Sequence, residues 1–358
     1  MSSKNINPIT QPQKELLIQA LRENGFKSMQ KIALETAQNS IKLFPYELEN
    51  YSQIGNSRAA GIPDLPPDFV FPMRKNSETE YMDFLCQINC SELAEYDYNN
   101  LLPHMGILSF FFCFDMDDFD NFKVYYFPDT TNLVLRKDYS ELTKAYPNYY
   151  VNVNSFKLTF ASEISVDPNL YNKLNFKDLG KPTWFEEGKE YTDDDLIDVY
   201  YNHFLSSVKY VPENNLGENI PLEFLINMRY RSALLYKELL QKANINVANL
   251  KPEEVILEFT NYVRKDLHKL GPTNMETLLS WLREKVPEDL VNSDSFLLGY
   301  PVSETESSTP NLINLLEFGS IDYVGLHWSD MGILGFRITP EDLSNLNFDK
   351  VEMGFTSG

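Results

Sequence analysis

The sequence predicts an α+β fold: two internally repeated, mainly antiparallel β units packed together, with N-terminal helices and an inserted helical subdomain. Three observations predict it. The run Ile107 to Phe114 is apolar and aromatic, long enough for one strand buried on both faces, and follows a turn punctuated by Pro103 and Gly106. Met105-Gly106-Ile107-Leu108-Ser109-Phe110 is echoed by Met331-Gly332-Ile333-Leu334-Gly335-Phe336. Between the two echoes, from about residue 190 to 290, apolar residues take helical spacing. Four segments follow from this: N-terminal helices over 1–41, a first β unit over 42–185, a helical insertion over 186–292 and a second β unit over 293–358.

Residues 14–24 and 28–41 carry helical stripes, Leu16, Leu17, Ala20 and Leu21, then Met29, Ile32, Ala33, Ala37 and Ile41, with Ser28 placed to cap the second. From Gly55 to Pro72 the prolines forbid a helix and discourage a central strand, so this is an ordered loop laid on the sheet with Leu65, Phe69 and Phe71 inward. Strands are predicted at Tyr81–Asn89, Ile107–Phe114, Phe122–Phe127, Leu133–Arg136 and Tyr149–Ile164. In the insertion, Pro221 and Pro252 sit at first helical positions, the second helix stops at Leu270-Gly271-Pro272, and Met275–Lys285 supplies another. The β body resumes at Leu297 with a strand at Leu312–Phe318.

Composition bounds the function. The chain has 358 residues, 31 basic against 52 acidic, and a net charge of -21. Such a field repels nucleic-acid phosphates and anionic lipid and attracts basic partners. Met1 to Gln13 is polar, unlike a secretory signal, and no apolar run reaches membrane-spanning length, which places the protein in the cytoplasm. Three cysteines make a poor disulfide scaffold. Cys86 and Cys90 would lie about 13 Å apart on a strand, too far to bridge.

The two halves present matching signals in the same order: Gly61-Ile62-Pro63 and Gly299-Tyr300-Pro301, Phe84-Leu85-Cys86-Gln87 and Asn314-Leu315-Leu316-Glu317, then the two turns at Gly106 and Gly332. These residues, with Leu65-Pro66, Phe71-Pro72, Ile88-Asn89, Leu102-Pro103, Asp115, Trp328, Asp330 and Phe348-Asp349, resemble the YwqG-like family, a bacterial family of uncharacterised function. The likeness runs from about residue 42 to the end. It implies an α+β fold with duplicated β units and no reaction. Through gene company within that family it also implies kinship with immunity proteins that neutralise secreted toxins. Glu317 stands where the family favours glutamine, and Ser329 replaces a glycine.

No nucleophile motif, phosphate loop or dinucleotide loop is present, and no cofactor is expected. The histidines lack metal-ligand spacing. Asp115 to Asp120 is acidic like a calcium loop, but Asp120 stands where the glycine should be and Tyr126 where the glutamate should be, so it reads as a hairpin tip. The candidate catalytic cluster is His104 with Asp330, at equivalent positions two residues before the turn glycines, joined by Asp115. Trp328 and Asp330 read also as a core anchor and a turn-capping carboxylate. Gly61, Pro63, Gly106 and Gly332 are structural turn positions. A basic protein partner is expected at Asp193, Asp194 and Asp195, and the motif residues Trp328 and Gln87 are further binding positions. The alternatives are an enzyme using the His104 cluster and a small-molecule pocket between helices and sheet.

Overall fold

Two halves of the chain meet along one strand that the periodicity does not announce. The computed structural model describes residues 5–23, 26–75, 77–113, 121–139, 155–167, 192, 233–278, 295–303, 309, 311–321, 326, 328 and 332–356. Among these, β1 (Gln38–Leu48) pairs antiparallel with β8 (Phe156–Ser165) on one edge and with β9 (Phe296–Leu298) on the other. The helical stripe over 28–41 is therefore corrected. A 3-10 turn at Lys27–Met29 contains Ser28, helix α2 spans Gln30–Thr36, and the chain turns extended at Ala37 (ψ 138°). The cause is tertiary. Asn39, Ser40 and Lys42 are buried by the strands and helices around them, so Ile41 belongs to a strand face and not to the stripe of Ala33 and Ala37.

Ten of the described strands form one antiparallel sheet in the order β12-β11-β10-β9-β1-β8-β2-β4-β5-β6. Here β2 is Arg58–Ala59, β4 Asp83–Asn89, β5 Ile107–Phe112, β6 Phe122–Phe127, β10 Ile313–Gly319, β11 Ile333–Ile338 and β12 Glu352–Thr356. The expected pair of separate packed sheets is thus replaced by a single sheet, because β9 of the C-terminal part bonds to β1 of the N-terminal part. Read from either edge, the order presents the same parts: an edge strand, two long hairpin partners, a short strand and a long central strand. Bulges fall between Phe84 and Cys86 on β4 and between Asn314 and Leu316 on β10. Cys90 N donates to Gly106 O at 2.9 Å, and Ser320 N to Gly332 O at 3.0 Å. The sheet curls until β5 and β11, each next to an edge, face one another, with the Phe110 and Phe336 rings 5.1 Å apart.

The run Ile107–Phe112 is buried throughout, as its composition demands. Leu108, Phe110 and Phe112 enter the main core; Phe111 points the other way, into a cluster closed by Leu65, Phe71, Met82, Phe84 and Tyr139. The proline-rich loop supplies that cover, and Arg136 ties it down by donating to Pro66 O and Phe69 O at 2.9 Å. A two-stranded ribbon of β3 (Asp64–Leu65) and β7 (Val134–Leu135) completes it. Helix α1 (Gln11–Glu23) and α2 pack Leu17, Leu21 and Ala33 onto Ile164 and Val166. From the insertion, α4 (Ala233–Lys242) and α5 (Pro252–Asp266) put Tyr236, Leu239, Phe259 and Tyr262 into the same core as the sheet. The predicted helix at Pro221 lies outside the described residues. No helix among the described residues is long and apolar enough to cross a membrane.

The repeated turn glycines are required for different reasons. Gly106 has φ +80°, and a Cβ there would lie 2.8 Å from Pro128 Cα. Gly332 is outside the left-handed region, but its Cβ would meet Trp328 O at 2.6 Å and Thr356 O at 2.8 Å. Gly106→Ala should therefore lower stability by about 2 kcal/mol or more, and Phe336→Ala by about 3–5 kcal/mol through the cavity it leaves. Urea unfolding checks both; a Gly106→Ala loss below about 1 kcal/mol would remove the conformational account of the turn.

Candidate functional site

The two Gly-x-Pro turns follow the short strands β2 and β9, and both are built on consecutive left-handed residues. Ala60 and Gly61 have φ of 56° and 80°; Leu298 and Gly299 have 59° and 72°. Left-handed backbone costs a non-glycine residue about 1 kcal/mol or more, so each turn must be held from outside. A serine does so in both places: Ser155 Oγ donates to Ala59 O and Ala60 O, and Ser40 Oγ to Leu297 O. Then the turns diverge. The amide of Ile62 donates to the phenol of Tyr51 (3.3 Å), whereas the amide of Tyr300 donates to the small hydroxyl of Ser165 (2.9 Å).

Around the first turn the space is filled. Arg58 is fully enclosed beneath Tyr51, its guanidinium 5.3 Å from that ring. It pairs with Asp64, lies 3.3 Å from Glu49 Oε2, and donates to Asn56 Oδ1 and Ile62 O. Gln87 closes the network: its Oε1 accepts from Asp64 N at 2.9 Å, and its Nε2 donates to Asp64 Oδ2 and Asn56 O. Within this cluster Arg58, Asp64 and Gln87 have no exposed surface. It fixes the loop from Glu49 to Asp64 over the sheet, and Gln87 is one of its members.

Around the second turn Glu317 takes the place in the sequence pattern that Gln87 has in the first. It accepts from Val302 N (2.9 Å), Ser303 N (2.8 Å) and Ser303 Oγ, with Arg337 Nη2 at 3.7 Å. Burial pushes the Glu317 carboxyl up, against these hydrogen bonds and Arg337; burial likewise pulls the Arg337 guanidinium down.

Beside this turn a cavity of about 760 Å³ opens. Its walls come from the N-terminal segment at Asn5–Asn7, the start of β1, Asp167 just beyond β8, Leu298 to Pro301, and the start of β10. Tyr300 crosses it and donates its hydroxyl to Thr36 O at 2.7 Å. Burial, then the nearby charge of Asp167, pushes its phenol up to about 12. Asn314 is 1% exposed; it gives Nδ2 to Leu298 O at 3.0 Å and leaves Oδ1 with no hydrogen-bond partner.

The proposed catalytic cluster is only partly in view. His104 lies with Nε2 3.5 Å from Asp97 Oδ2, the carboxylate oxygen that accepts from Leu102 N at 2.7 Å. His104 thus closes a local loop. Asp115 and Asp330 lie outside the described residues, as do the acidic positions Asp193, Asp194 and Asp195. Trp328 is 1% exposed, donates Nε1 to Phe318 O, and packs 6.1 Å from Phe112. Cys86, Cys90 and Cys113 are buried, unbridged thiols. The sequence reading missed Asp167 and Asn314. A polar residue in an otherwise apolar strand was the available signal for Asn314.

A family model described as "Domain of unknown function (DUF1963)" matches residues 57–356, a span that holds both Gly-x-Pro turns and both hairpins. No curated protein matches the chain.

Glu317 gives a signed test. Its carboxyl is raised in the fold, so its contribution to stability is fully present below the unfolded pKa and is lost as pH rises through the folded one. Glu317→Gln cannot ionise. Relative to wild type, the variant should gain stability between about pH 4 and about pH 7, measured by urea unfolding at both. A relative loss over that window would contradict burial as the dominant influence on this carboxyl.

Proposed function

We propose that the chain, which belongs to the DUF1963 (YwqG-like) family, is a binding protein whose small-molecule ligand occupies the cavity beside Gly299-Tyr300-Pro301. The observation that carries this reading is a cavity of about 760 Å³ whose wall sets the polar residues Tyr300, Asn314 and Asp167 among the apolar Leu298, Pro301 and Leu312. The size suits a small organic molecule. The matching strand order and turn torsions support reading the chain as two copies of one β unit. In the first copy Tyr51 and Arg58 occupy the turn; in the second Ser165 leaves room there.

Expected outcome: protein purified from its own cells and extracted under denaturing conditions yields one enriched small molecule by mass spectrometry. Leu312→Trp, which places an indole on the cavity wall, abolishes that enrichment while the melting temperature stays within about 4 °C of wild type. Equal recovery from a folded Leu312→Trp protein would place the ligand elsewhere and sink the cavity reading.

A net charge of -21 favours a second reading, that the protein also engages a basic protein partner through its carboxylates, Asp193, Asp194 and Asp195 among them. Toxin immunity is one form that such binding would take. Association with the partner should slow about tenfold or more between low and physiological salt, as stopped-flow mixing would read. A salt-independent rate would leave the acidity as a solubility feature.

A further inference from the structure

We infer, on the reading that this cavity is a ligand site, that the segment Asn5–Pro8 is its gate: a strap that lifts off β1 to let the ligand in and out. Asn5, Ile6 and Asn7 form one wall of the cavity. The strap buries nothing apolar of its own. Ile6 is 43% exposed and Pro8 is exposed, and the first buried apolar side chain is Ile9, which joins Leu17 and Leu21 of α1 in their cluster.

What holds the strap is polar. Asn39 N donates to Asn7 O at 3.0 Å, Asn7 Nδ2 to Asn39 O, and Asn5 Nδ2 to Ala37 O at 2.9 Å. Asn99 Nδ2 reaches Asn7 Oδ1 at 2.7 Å and Pro8 O at 3.0 Å. Each bond is exchanged for one to water when the strap lifts, so its net contribution is only about 1 kcal/mol. The walls at Leu298 and Ile313 differ, since both side chains are buried in the main core and their strands, β9 and β10, are held in the sheet. Local opening takes the least anchored segment first, and here that is the strap. Its fixed end is also defined. Thr10 N donates to Gln13 Oε1 at 2.9 Å and Gln13 N to Thr10 Oγ1 at 3.4 Å, a reciprocal cap on α1, and Gln13 Nε2 is tied to Asn39 Oδ1. The helix therefore stays in place while the residues before Ile9 move.

Hydrogen exchange on the full chain reads the strap directly. The Asn39 amide, bonded to Asn7 O, reports its opening; the Leu43 amide, bonded to Ser295 O on the same strand, reports opening of the sheet. Corrected for intrinsic rates, Asn39 should exchange about tenfold or more faster than Leu43. Asn99→Ala loosens the strap without touching the cavity wall. It should speed Asn39 exchange about fivefold and shorten the residence of the co-purified molecule, followed by mass spectrometry during dialysis, by a like factor. A reversible lock gives the opposite sign. Pro8 and Gln38 stand opposite each other in an antiparallel bridge, a separation of about 4.5–5.5 Å between Cα atoms that a disulfide spans, and Cys86, Cys90 and Cys113 are buried. Oxidised Pro8→Cys/Gln38→Cys protein should hold Asn39 to the Leu43 level and, against the same sample after reduction, lengthen residence about tenfold or more. Asn39 exchanging no faster than Leu43 in wild type would overturn the strap as the opening element. Residence unchanged in Asn99→Ala, although Asn39 exchanges faster, would overturn it as the gate and leave the cavity as a site. Recovery of no molecule from wild type would overturn the cavity reading, and the gate with it.

Discussion

The antiparallel ladder between β1 and β8 is the constraint on which the rest of this molecule depends. It runs from Gln38 opposite Ser165 to Leu48 opposite Phe156, and it holds the centre of the ten-stranded sheet. Each of these strands has a further neighbour on its other edge: β1 pairs with β9, from the C-terminal part of the chain, and β8 with β2. Its register is set by directional bonds as well as apolar burial. Asn39, fully buried, donates to Tyr96 O and accepts from Gln13, while Ser40 reaches Leu297 O. A slip of one residue would turn Ile41 and Leu43 to the wrong face and strand these polar groups together. The turn geometry follows from the same register, because Ser40 and Ser155, which hold the two left-handed turns, sit at the two ends of the ladder.

Where burial alone decides structure, the sequence was legible. Ile107–Phe112 reads as a strand covered on both faces because every residue is apolar or small, and the proline-rich loop reads as its cover because its apolar residues have nowhere else to go. Phe122–Phe127 was found to the residue. β1 was not, and the reason is physical. Its polar residues look solvated in isolation and become strand-forming only when distant groups satisfy them. Meanwhile Ala33, Ala37 and Ile41 happen to continue the period of a true helix past its end. The same blind spot hid the single sheet that these strands form.

The functional region shows a similar division. The Gly-x-Pro turns stood out as motifs because strained backbone restricts residue choice. What distinguishes them did not, since it rests on Tyr51 in one and Ser165 in the other, residues far from each other in the chain and unlike in type. His104 lies 3.5 Å from Asp97, seven positions earlier, while Asp330, the partner its position in the sequence echo suggests, lies outside the described residues. Glu317 is the instructive case, a charged residue where glutamine would serve as an acceptor without the cost of ionisation in a buried place.

The pairing of β1 with β9 has a consequence for how the chain is made. Ser40 bonds to Leu297, 257 positions later. At ordinary rates of synthesis the ribosome takes on the order of tens of seconds to cover such a distance. Throughout that interval β1 has left the ribosome with one edge unmatched, because its neighbour β9 does not yet exist. The N-terminal half cannot close as an autonomous unit during elongation, and completion waits for the last sixth of the chain. Contacts of this range also slow the final search. A nascent chain of this design presents an open sheet edge to whatever else is in the cell, so its yield is tied to holdase chaperones and to the pace of translation more closely than its finished stability would suggest.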